Sequence, residues 1–226
     1  MLGERLMKNK IGAIVAIEPE TGEILCLVSA PNFDPHLMIG RQRGKNHNML
    51  QKDKQKPLLN RAIMGVYPPG STFKTASIMV ALEDGKITPD YIVDTGNGQK
   101  PMHGRVMKDH NWHRGGYGKL TVTEILGVSS NVGTSSIIEN FYGSNPQKFV
   151  DGLKRMSIDQ PLHLQISGEG KPNIRGPKER YFSKTTLPWM SIGYETQVPP
   201  INILTFYNAI ANNGVSIRPK FVRAAV

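Results

Sequence analysis

A serine and a lysine three residues apart, Ser71 and Lys74, are the two side chains in this sequence best suited to covalent chemistry. They follow a Tyr-Pro-Pro-Gly turn, and the run TFKTASIMVAL that begins beside them is mostly apolar, without glycine or proline. Such a run predicts a buried helix over residues 72–82. Because residues three apart share a helix face, the Ser71 hydroxyl and the Lys74 amine would lie together at the start of that helix.

This pairing predicts an activated nucleophile. Burial lowers the pKa of a lysine amine toward that of a usable base, and a serine beside such a base can attack a carbonyl carbon. The positive end of the helix dipole would favour the negative charge that develops. The alternative is structural: Ser71 caps the helix and Lys74 extends to solvent. The spacing alone does not separate the two, because a chain with many serines is expected to contain roughly one S-x-x-K by chance.

A second candidate element, Ser129-Ser130-Asn131, lies later in the chain where a loop meets a helix. A hydroxyl and an amide at such a junction can pass a proton and hold a substrate amide. Taken alone, the tripeptide is more typical of a helix cap than of a catalytic element.

The elements that would position these residues predict an α+β domain with its sheet and helices segregated. Two apolar runs, residues 12–17 and 23–28, predict a hairpin, since the turn between them has proline early and glycine late. Thr121 and Glu124 predict a capping box on a short helix. Further helices are predicted over 120–126, 147–156 and 201–212, and a strand over 217–226. Residues 128–133 are predicted to open another helix that runs through about residue 141.

We expect little regular structure in four remaining segments. They are a polar basic loop (41–56), a surface excursion (87–112), a Gly- and Pro-rich stretch (161–187) and a turn with apolar anchors (188–195). The excursion contains acidic and histidine side chains: Asp94, His103, Asp109, His110 and His113. Their spacing fits no common zinc scheme, so we interpret them as solvated loop residues.

Composition indicates a globular protein: 226 residues, 38% hydrophobic and 20% charged, with a net charge of +10. The basic residues are scattered except over 41–56, and no zinc-finger, helix-turn-helix or RNA-binding aromatic pattern accompanies them, which argues against a nucleic-acid partner. A basic surface suits an anionic polymer or an anionic membrane equally. The single cysteine, Cys26, excludes an internal disulfide and fits a packed strand. The abrupt start, and an end that reads as a strand being entered, lead us to expect a fragment.

With PPGSTFK and then SSN in this order, the chain resembles the penicillin-recognising serine acyltransferases, whose motifs are S-x-x-K and S-x-N. The segments IGAIVAIEPETGEILCLVSAPNFDP, NRA, KLTVTEILGVSSNVG and PWMSIGYE are similar to class B penicillin-binding proteins, and GERLMKNKIGAIVAIEP most resembles elongation-type penicillin-binding protein 2. The resemblance runs from about residue 11 to the end. It implies the transpeptidase/β-lactamase-like fold, with residues 1–10 a linker remnant and 11–226 an incomplete transpeptidase domain lacking its C-terminal strands.

The resemblance also implies roles for four residues. Ser71 would attack the D-Ala–D-Ala carbonyl of a peptidoglycan stem peptide, and its backbone N–H would supply half of an oxyanion hole. Lys74 would accept the serine proton and Ser129 would relay a proton to the departing D-alanine. Asn131 would hold the amide of the acyl chain. A second stem peptide would then take the acyl group, whereas β-lactams would leave a long-lived acyl-enzyme.

The sequence departs from the family in two respects. The third motif, K-T-G or K-S-G, does not occur, so we expect this chain alone to be inactive or impaired. Some elongation-type relatives hold a zinc ion beside S-x-N. The corresponding positions here, Asn111, Tyr117 and Ser130, are poor zinc ligands, so we expect neither a metal nor another cofactor.

The resemblance implies that the parent protein is anchored in a bacterial inner membrane with its catalytic domain in the periplasm, and that this stretch alone is soluble. Its implied partners are stem peptides, β-lactams, a glycosyltransferase and membrane proteins of the elongation complex. Two alternatives remain. A serine β-lactamase needs a hydrolytic base, and the flanks of Glu169 and Glu179 do not match one. A non-catalytic β-lactam sensor or docking module would not need Ser71 for wall chemistry.

Overall fold

The computed structural model describes residues 2–222, which fall into two compact units. Unit 1 takes in the described residues through 67, residues 161–172 and the described residues from 199. Unit 2 takes in residues 68–160 and 173–198. All four residues to which a role was assigned from the sequence lie in unit 2.

Helices and short antiparallel strands both contribute to the chain. The helices are α1 (Leu2–Leu6), α2 (Arg43–Lys52), α3 (Lys74–Glu83), α4 (Val122–Gly127), α5 (Asn131–Tyr142), α6 (Pro146–Arg155), α7 (Thr186–Ser191) and α8 (Pro200–Ala211). The strands are β1 (Gly12–Ile17), β2 (Ile24–Ala30), β3 (Ile92–Asp94), β4 (Gln99–Met102), β5 (Arg105–Lys108), β6 (Lys119–Thr121), β7 (Asn173–Ile174) and β8 (Thr196–Gln197). Within residues 2–222 they pair as β1–β2, β3–β6, β4–β5 and β7–β8.

Unit 1 is built on the predicted hairpin. β1 pairs antiparallel with β2, and Gly22 in the connecting turn has a φ of +75°. Only glycine suits this position, because a Cβ here would lie 2.4 Å from the Arg218 carbonyl oxygen. Ile17 packs with Ala62, Ile63 and Ile201 in a buried cluster, which brings α8 against the hairpin. The predicted helix over 201–212 is confirmed.

Two expectations in unit 1 need correction or fall partly outside the structure. Residues 41–56 are not a loop, since α2 occupies most of them. Leu50 alone in this helix is buried, so the sequence shows no apolar periodicity. Between residues 217 and 222 the predicted strand is reduced to one parallel bridge between Lys220 and Glu23. The rest of that prediction, residues 223–226, lies outside the described residues.

Unit 2 surrounds the buried helix α3. Phe73, Ile78 and Ala81 have no measurable exposure, as the apolar run TFKTASIMVAL predicted. α3 packs on α5 and α6. Both of these helices were predicted from the sequence. The capping box on α4 is present: Thr121 Oγ1 accepts from the Glu124 N–H, and the Glu124 carboxylate accepts from the Thr121 N–H.

Two predicted irregular segments of unit 2 are ordered. The excursion over 87–112 holds β3, β4 and β5, whose three or four residues each are too short to show alternation. The turn predicted over 188–195 begins inside α7. Pro188 lies in the first turn of this helix, where a missing N–H costs nothing. No helix in the described part of the chain is both long and apolar enough to cross a lipid bilayer.

Candidate active site

Ser71 lies in a 3-10 turn, Gly70–Phe73, that leads directly into α3. The Lys74 N–H donates to the Ser71 carbonyl oxygen, which joins the turn to the helix. Ser71 is exposed, whereas Phe73 and Lys74 behind it are buried. The structure therefore presents the Ser71 side chain to solvent from the end of a rigid, buried helix.

This turn is held by the segment that follows α7. The Gly70 N–H donates to the Gly193 carbonyl oxygen at 3.0 Å. Gly193 has a φ of +80°, and a Cβ on it would lie 2.0 Å from the Gly70 carbonyl oxygen. The Ser77 hydroxyl adds a 2.7 Å hydrogen bond to the Ser191 carbonyl oxygen. Gly193 is thus a supporting residue that sequence reasoning did not single out, although it stands in the PWMSIGYE segment.

Lys74 is buried, with 2% of its surface exposed, which contradicts the interpretation in which it extends to solvent. Its Nζ donates to the Ser129 carbonyl oxygen at 2.5 Å and to Ser129 Oγ at 2.9 Å. Desolvation lowers the pKa of Lys74 to about 8, against a smaller opposing effect from the negative charge of Asp109. Burial thus gives this amine a pKa at which its neutral, basic form is populated near neutral pH.

Ser129 takes part in this contact through an unusual backbone conformation. Its φ is +55°, in the left-handed region that non-glycine residues rarely adopt. Such a conformation costs about 1–3 kcal/mol, and it persists only where the surroundings enforce it. Both the carbonyl oxygen and the hydroxyl of Ser129 meet the Lys74 amine, and Ser129 is otherwise exposed. An exposed hydroxyl beside a titrating amine is suited to proton relay.

Ser130 and Asn131 do different work from Ser129. Ser130 is buried and caps α5: its Oγ accepts from the Gly133 N–H at 2.8 Å. The helix-cap interpretation therefore holds for Ser130 and not for Ser129. The Asn131 amide donates to the Lys108 carbonyl oxygen at 2.8 Å. This bond fixes the half-buried side chain against β5, and an amide has a second hydrogen and an oxygen for other partners.

Asp109 is the site residue that the sequence interpretation misjudged. It is 1% exposed rather than solvated. Its two carboxylate oxygens share the single Ser130 hydroxyl proton, at 3.0 and 2.9 Å from Oγ, and Oδ1 also accepts from the Val132 N–H at 2.9 Å. Its location at the end of β5, facing the start of α5, depends on contacts between residues distant in sequence. The SSN motif itself was the nearest available signal, because a buried helix start needs acceptors for its free N–H groups.

The other members of the predicted loop group do not join the site. His103 is exposed and pairs with Glu139 at 2.6 Å, and His110 meets the Tyr117 hydroxyl. Asp94 caps its own turn by accepting from the Gly96 N–H. Within residues 2–222 no three His, Cys, Asp or Glu side chains are close enough together to hold a metal ion.

The three positions that correspond to zinc ligands in some relatives do not suit zinc here. Ser130 Oγ is already engaged by Asp109 and the Gly133 N–H. The Tyr117 hydroxyl is engaged by His110. The third position, Asn111, offers a buried amide oxygen with no hydrogen-bond partner, a weak donor compared with the thiolate, imidazole or carboxylate groups that zinc prefers.

The two acidic residues considered as a hydrolytic base both serve their own loops. The Glu169 carboxylate accepts from the backbone N–H groups of Leu162 and Leu164. Glu179 Oε1 accepts from the Gly176 N–H at 2.8 Å. These contacts give each carboxylate a local structural role.

Comparison with known proteins gives the same assignment as the motifs. The sequence profile of the penicillin binding protein transpeptidase domain matches residues 12–226. The peptidoglycan D,D-transpeptidase MrdA of Escherichia coli K12 is 38% identical over 203 residues, covering 88% of this chain. The chain spans only 30% of the length of that relative.

Solved structures agree in fold. Penicillin-binding protein 2 of Pseudomonas aeruginosa, solved with WCK 5153, superposes with a TM-score of 0.85 at 27% identity, covering 98% of this chain and 49% of that one. The ceftriaxone acyl-enzyme complex of penicillin-binding protein A from Mycobacterium tuberculosis gives a TM-score of 0.76 at 26% identity, covering 93% and 47%. A profile matched over nearly the whole chain, with both motifs in place, shows that the chain belongs to the penicillin-binding protein transpeptidase family.

Proposed function

We propose that the protein containing this chain is a peptidoglycan D,D-transpeptidase that forms cross-links through an acyl-enzyme on Ser71 and is itself acylated by β-lactams. The observation that carries the proposal is the buried Lys74 amine, one helical turn from the exposed Ser71 and hydrogen-bonded to Ser129. At a pKa of about 8, about one Lys74 in ten is neutral at pH 7, compared with about one in three thousand at the ordinary lysine pKa.

The first half-reaction would begin with the neutral Lys74 amine. It takes the Ser71 hydroxyl proton as Ser71 Oγ bonds to the penultimate D-Ala carbonyl carbon. The resulting oxyanion lies at the helix N-terminus, where the dipole stabilises it. When the intermediate collapses, the C–N bond to the terminal D-alanine breaks. Ser129 then passes the proton from the Lys74 ammonium to the departing nitrogen, which leaves Lys74 neutral.

The second half-reaction would run the same path in reverse. The amine of a second stem peptide attacks the Ser71 ester carbonyl and gives its proton through Ser129 to Lys74. The C–O bond breaks, Ser71 Oγ regains the proton, and the cross-link is complete. Asn131 holds the amide of the acyl chain throughout. A β-lactam enters the same first step, but its ring opens without releasing a leaving group, so the acyl-enzyme persists.

The wider assignments belong to the same proposal. Residues 11–226 would be the transpeptidase domain and residues 1–10 a linker to it. The full-length protein would be anchored in the inner membrane with this domain in the periplasm. It would work there with a glycosyltransferase and with elongation-complex proteins, as the sequence resemblance to elongation-type penicillin-binding protein 2 implies.

The test is intact-mass analysis of the full-length protein after incubation with penicillin G. The full-length protein is used because the third family motif does not occur within these 226 residues. We expect one adduct with the mass of the intact antibiotic, and none in Ser71→Ala. Thr72→Ala is the matched control, because it removes the neighbouring exposed hydroxyl and keeps the adduct.

Other outcomes would favour the competing functions. Steady hydrolysis of penicillin without a lasting adduct would identify a β-lactamase. An adduct that survives in Ser71→Ala, or no adduct in the wild-type protein, would contradict the nucleophile assignment and favour a docking module.

A further inference from the structure

The Ser129-Ser130 dipeptide is hydrogen-bonded to two buried side chains of opposite charge, Lys74 and Asp109. The Lys74 amine holds Ser129 through its carbonyl oxygen and hydroxyl. The Asp109 carboxylate holds Ser130 by accepting its hydroxyl proton, which both carboxylate oxygens share, and it also accepts from the Val132 N–H. Among the side chains in these contacts, the proposed catalytic steps use Lys74 and Ser129, and they leave the buried Asp109 carboxylate without a role.

A carboxylate without a role here would be costly. Burial of an ionised group is unfavourable unless hydrogen bonds and nearby charge compensate. The Asp109 carboxylate accepts from two donors, the Ser130 hydroxyl and the Val132 N–H. Ser130 Oγ receives the Gly133 N–H, which leaves its own proton for the carboxylate. The positive end of the α5 dipole, at the N-terminus of that helix, is also favourable for the carboxylate.

We propose that Asp109 is a positioning residue for acyl transfer: by fixing Ser130 and the start of α5 it enforces the left-handed backbone of Ser129, and its negative charge balances the Lys74 ammonium that forms when Ser71 loses its proton. The inference rests on the proposed function. It assigns a task to a residue that touches no substrate and lies outside both sequence motifs.

The geometric part of the role follows from covalent continuity. Ser129 and Ser130 are adjacent, so a fixed Ser130 leaves Ser129 few backbone conformations. Ser129 adopts the strained one, with φ at +55°. This conformation brings its hydroxyl to 2.9 Å from Lys74 Nζ. Displacements of about 1 Å in such a constellation can reduce rates about a hundredfold.

The electrostatic part concerns the protonation of Lys74. Desolvation lowers its pKa and the charge of Asp109 acts in the opposite direction. The other charged side chains on the neighbouring elements β4, β5, α4 and α5 have partners of their own. Arg105 and Lys108 lie over the rings of Trp189 and Trp112, and Lys100 donates to Ser136 Oγ. The carboxylates of Glu124 and Glu139 contact Thr121 and His103. Removal of the Asp109 charge should therefore lower the pKa of Lys74 further.

These two parts give Asp109→Asn and Ser130→Ala different signatures in the full-length protein. Asp109→Asn keeps the shape and removes the charge. We expect penicillin G acylation to slow by about tenfold or more, and the acidic limb of its pH profile to move to lower pH. Ser130→Ala breaks the link to the loop and keeps the charge. It should slow acylation and leave the limb in place.

A second measurement does not depend on acylation. The Cε NMR resonance of Lys74, followed against pH, reports its protonation directly, and its titration should shift to lower pH in Asp109→Asn only. If acylation proves absent in the wild-type protein, the proposed function fails while this titration still tests the pairing. An unchanged Lys74 titration in a folded Asp109→Asn protein would overturn the charge role. Wild-type acylation rates in both variants would overturn the positioning role.

Discussion

Ser71 and Ser130 both stand at the start of a buried helix, and both fit a helix cap when the sequence is considered alone. The structure gives them different surroundings. Ser71 is exposed, and the lysine that follows it by three residues is buried. Ser130 is itself buried, its hydroxyl accepts from the Gly133 N–H, and it donates to Asp109. One serine is therefore open to an incoming carbonyl, and the other is fully engaged within the protein.

The difference shows that the position of a serine at a helix start does not determine its chemistry. A cap needs only a backbone N–H to accept from, whereas a nucleophile needs access and a base whose pKa has been lowered. The two sites differ in which charged side chain is buried beside the serine: Lys74 at the first helix and Asp109 at the second.

The largest effect is expected at the Lys74 base. Lys74→Ala in the full-length protein should reduce the rate of penicillin G acylation by about 10³-fold, because it removes the base to which the proposal assigns the Ser71 proton. In the wild-type protein the rate should rise about tenfold per pH unit up to pH of about 8, as Lys74 becomes neutral. Stopped-flow or mass-detected acylation measures both.

Lys100→Ala is the matched control for this prediction. Lys100, like Lys74, donates to a serine hydroxyl, in this case that of Ser136 in α5, at 2.9 Å. Its loss removes a similar contact without touching Ser71. Acylation within a few-fold of wild type is expected for Lys100→Ala, and an equal loss in both variants would show that Lys74 acts through the fold alone.

The sequence predicted the Ser71 side of the comparison well, because its signals are local. An apolar run without glycine or proline predicted the buried α3, and Thr121 with Glu124 predicted the capping box of α4. The hairpin β1–β2 followed from its turn chemistry. Each of these features is encoded within one continuous short stretch of the chain.

The Asp109 side could not be predicted, because it depends on contacts between distant residues. Asp109 is buried because β5 packs against the start of α5. Its partner Ser130 lies 21 residues away in the sequence. Short polar strands such as β4 and β5 carry no readable period, and α2 buries only Leu50. In each case the environment is created by the fold and has no counterpart in the local pattern.

An intermediate effect on stability and acylation is expected at Gly193, which supports the turn that contains Ser71. Gly193→Ala should destabilise the protein by more than about 2 kcal/mol, because its left-handed backbone costs an alanine about 1–2 kcal/mol and its Cβ would also overlap the Gly70 carbonyl. Displacement of the 70–73 turn should slow acylation at least tenfold. Urea unfolding and acylation rates measure the two effects.

Gly85→Ala is the control that has the cost of a left-handed alanine without the steric overlap expected at Gly193. Gly85 has a φ of +62° just beyond the other end of α3, and nothing lies within 4 Å of a Cβ built there. It should lose about 1–2 kcal/mol and keep the wild-type acylation rate. Similar acylation in Gly193→Ala and Gly85→Ala would contradict the supporting role of Gly193.

The smallest expected effects are losses of folding stability at two helix caps of unit 2, Thr121 of α4 and Ser130 of α5. Thr121→Ala removes the cap of α4 and should cost about 1 kcal/mol in the free energy of unfolding, with acylation unchanged. Ser130→Ala removes the cap of α5, and it also deprives the buried Asp109 carboxylate of its donor hydroxyl. Its cost should exceed that of Thr121→Ala by about 1–3 kcal/mol, because a buried acceptor loses hydrogen bonds that water cannot replace. Equal losses in urea unfolding would mean that Ser130 is an ordinary cap and that Asp109 is held by the Val132 N–H alone.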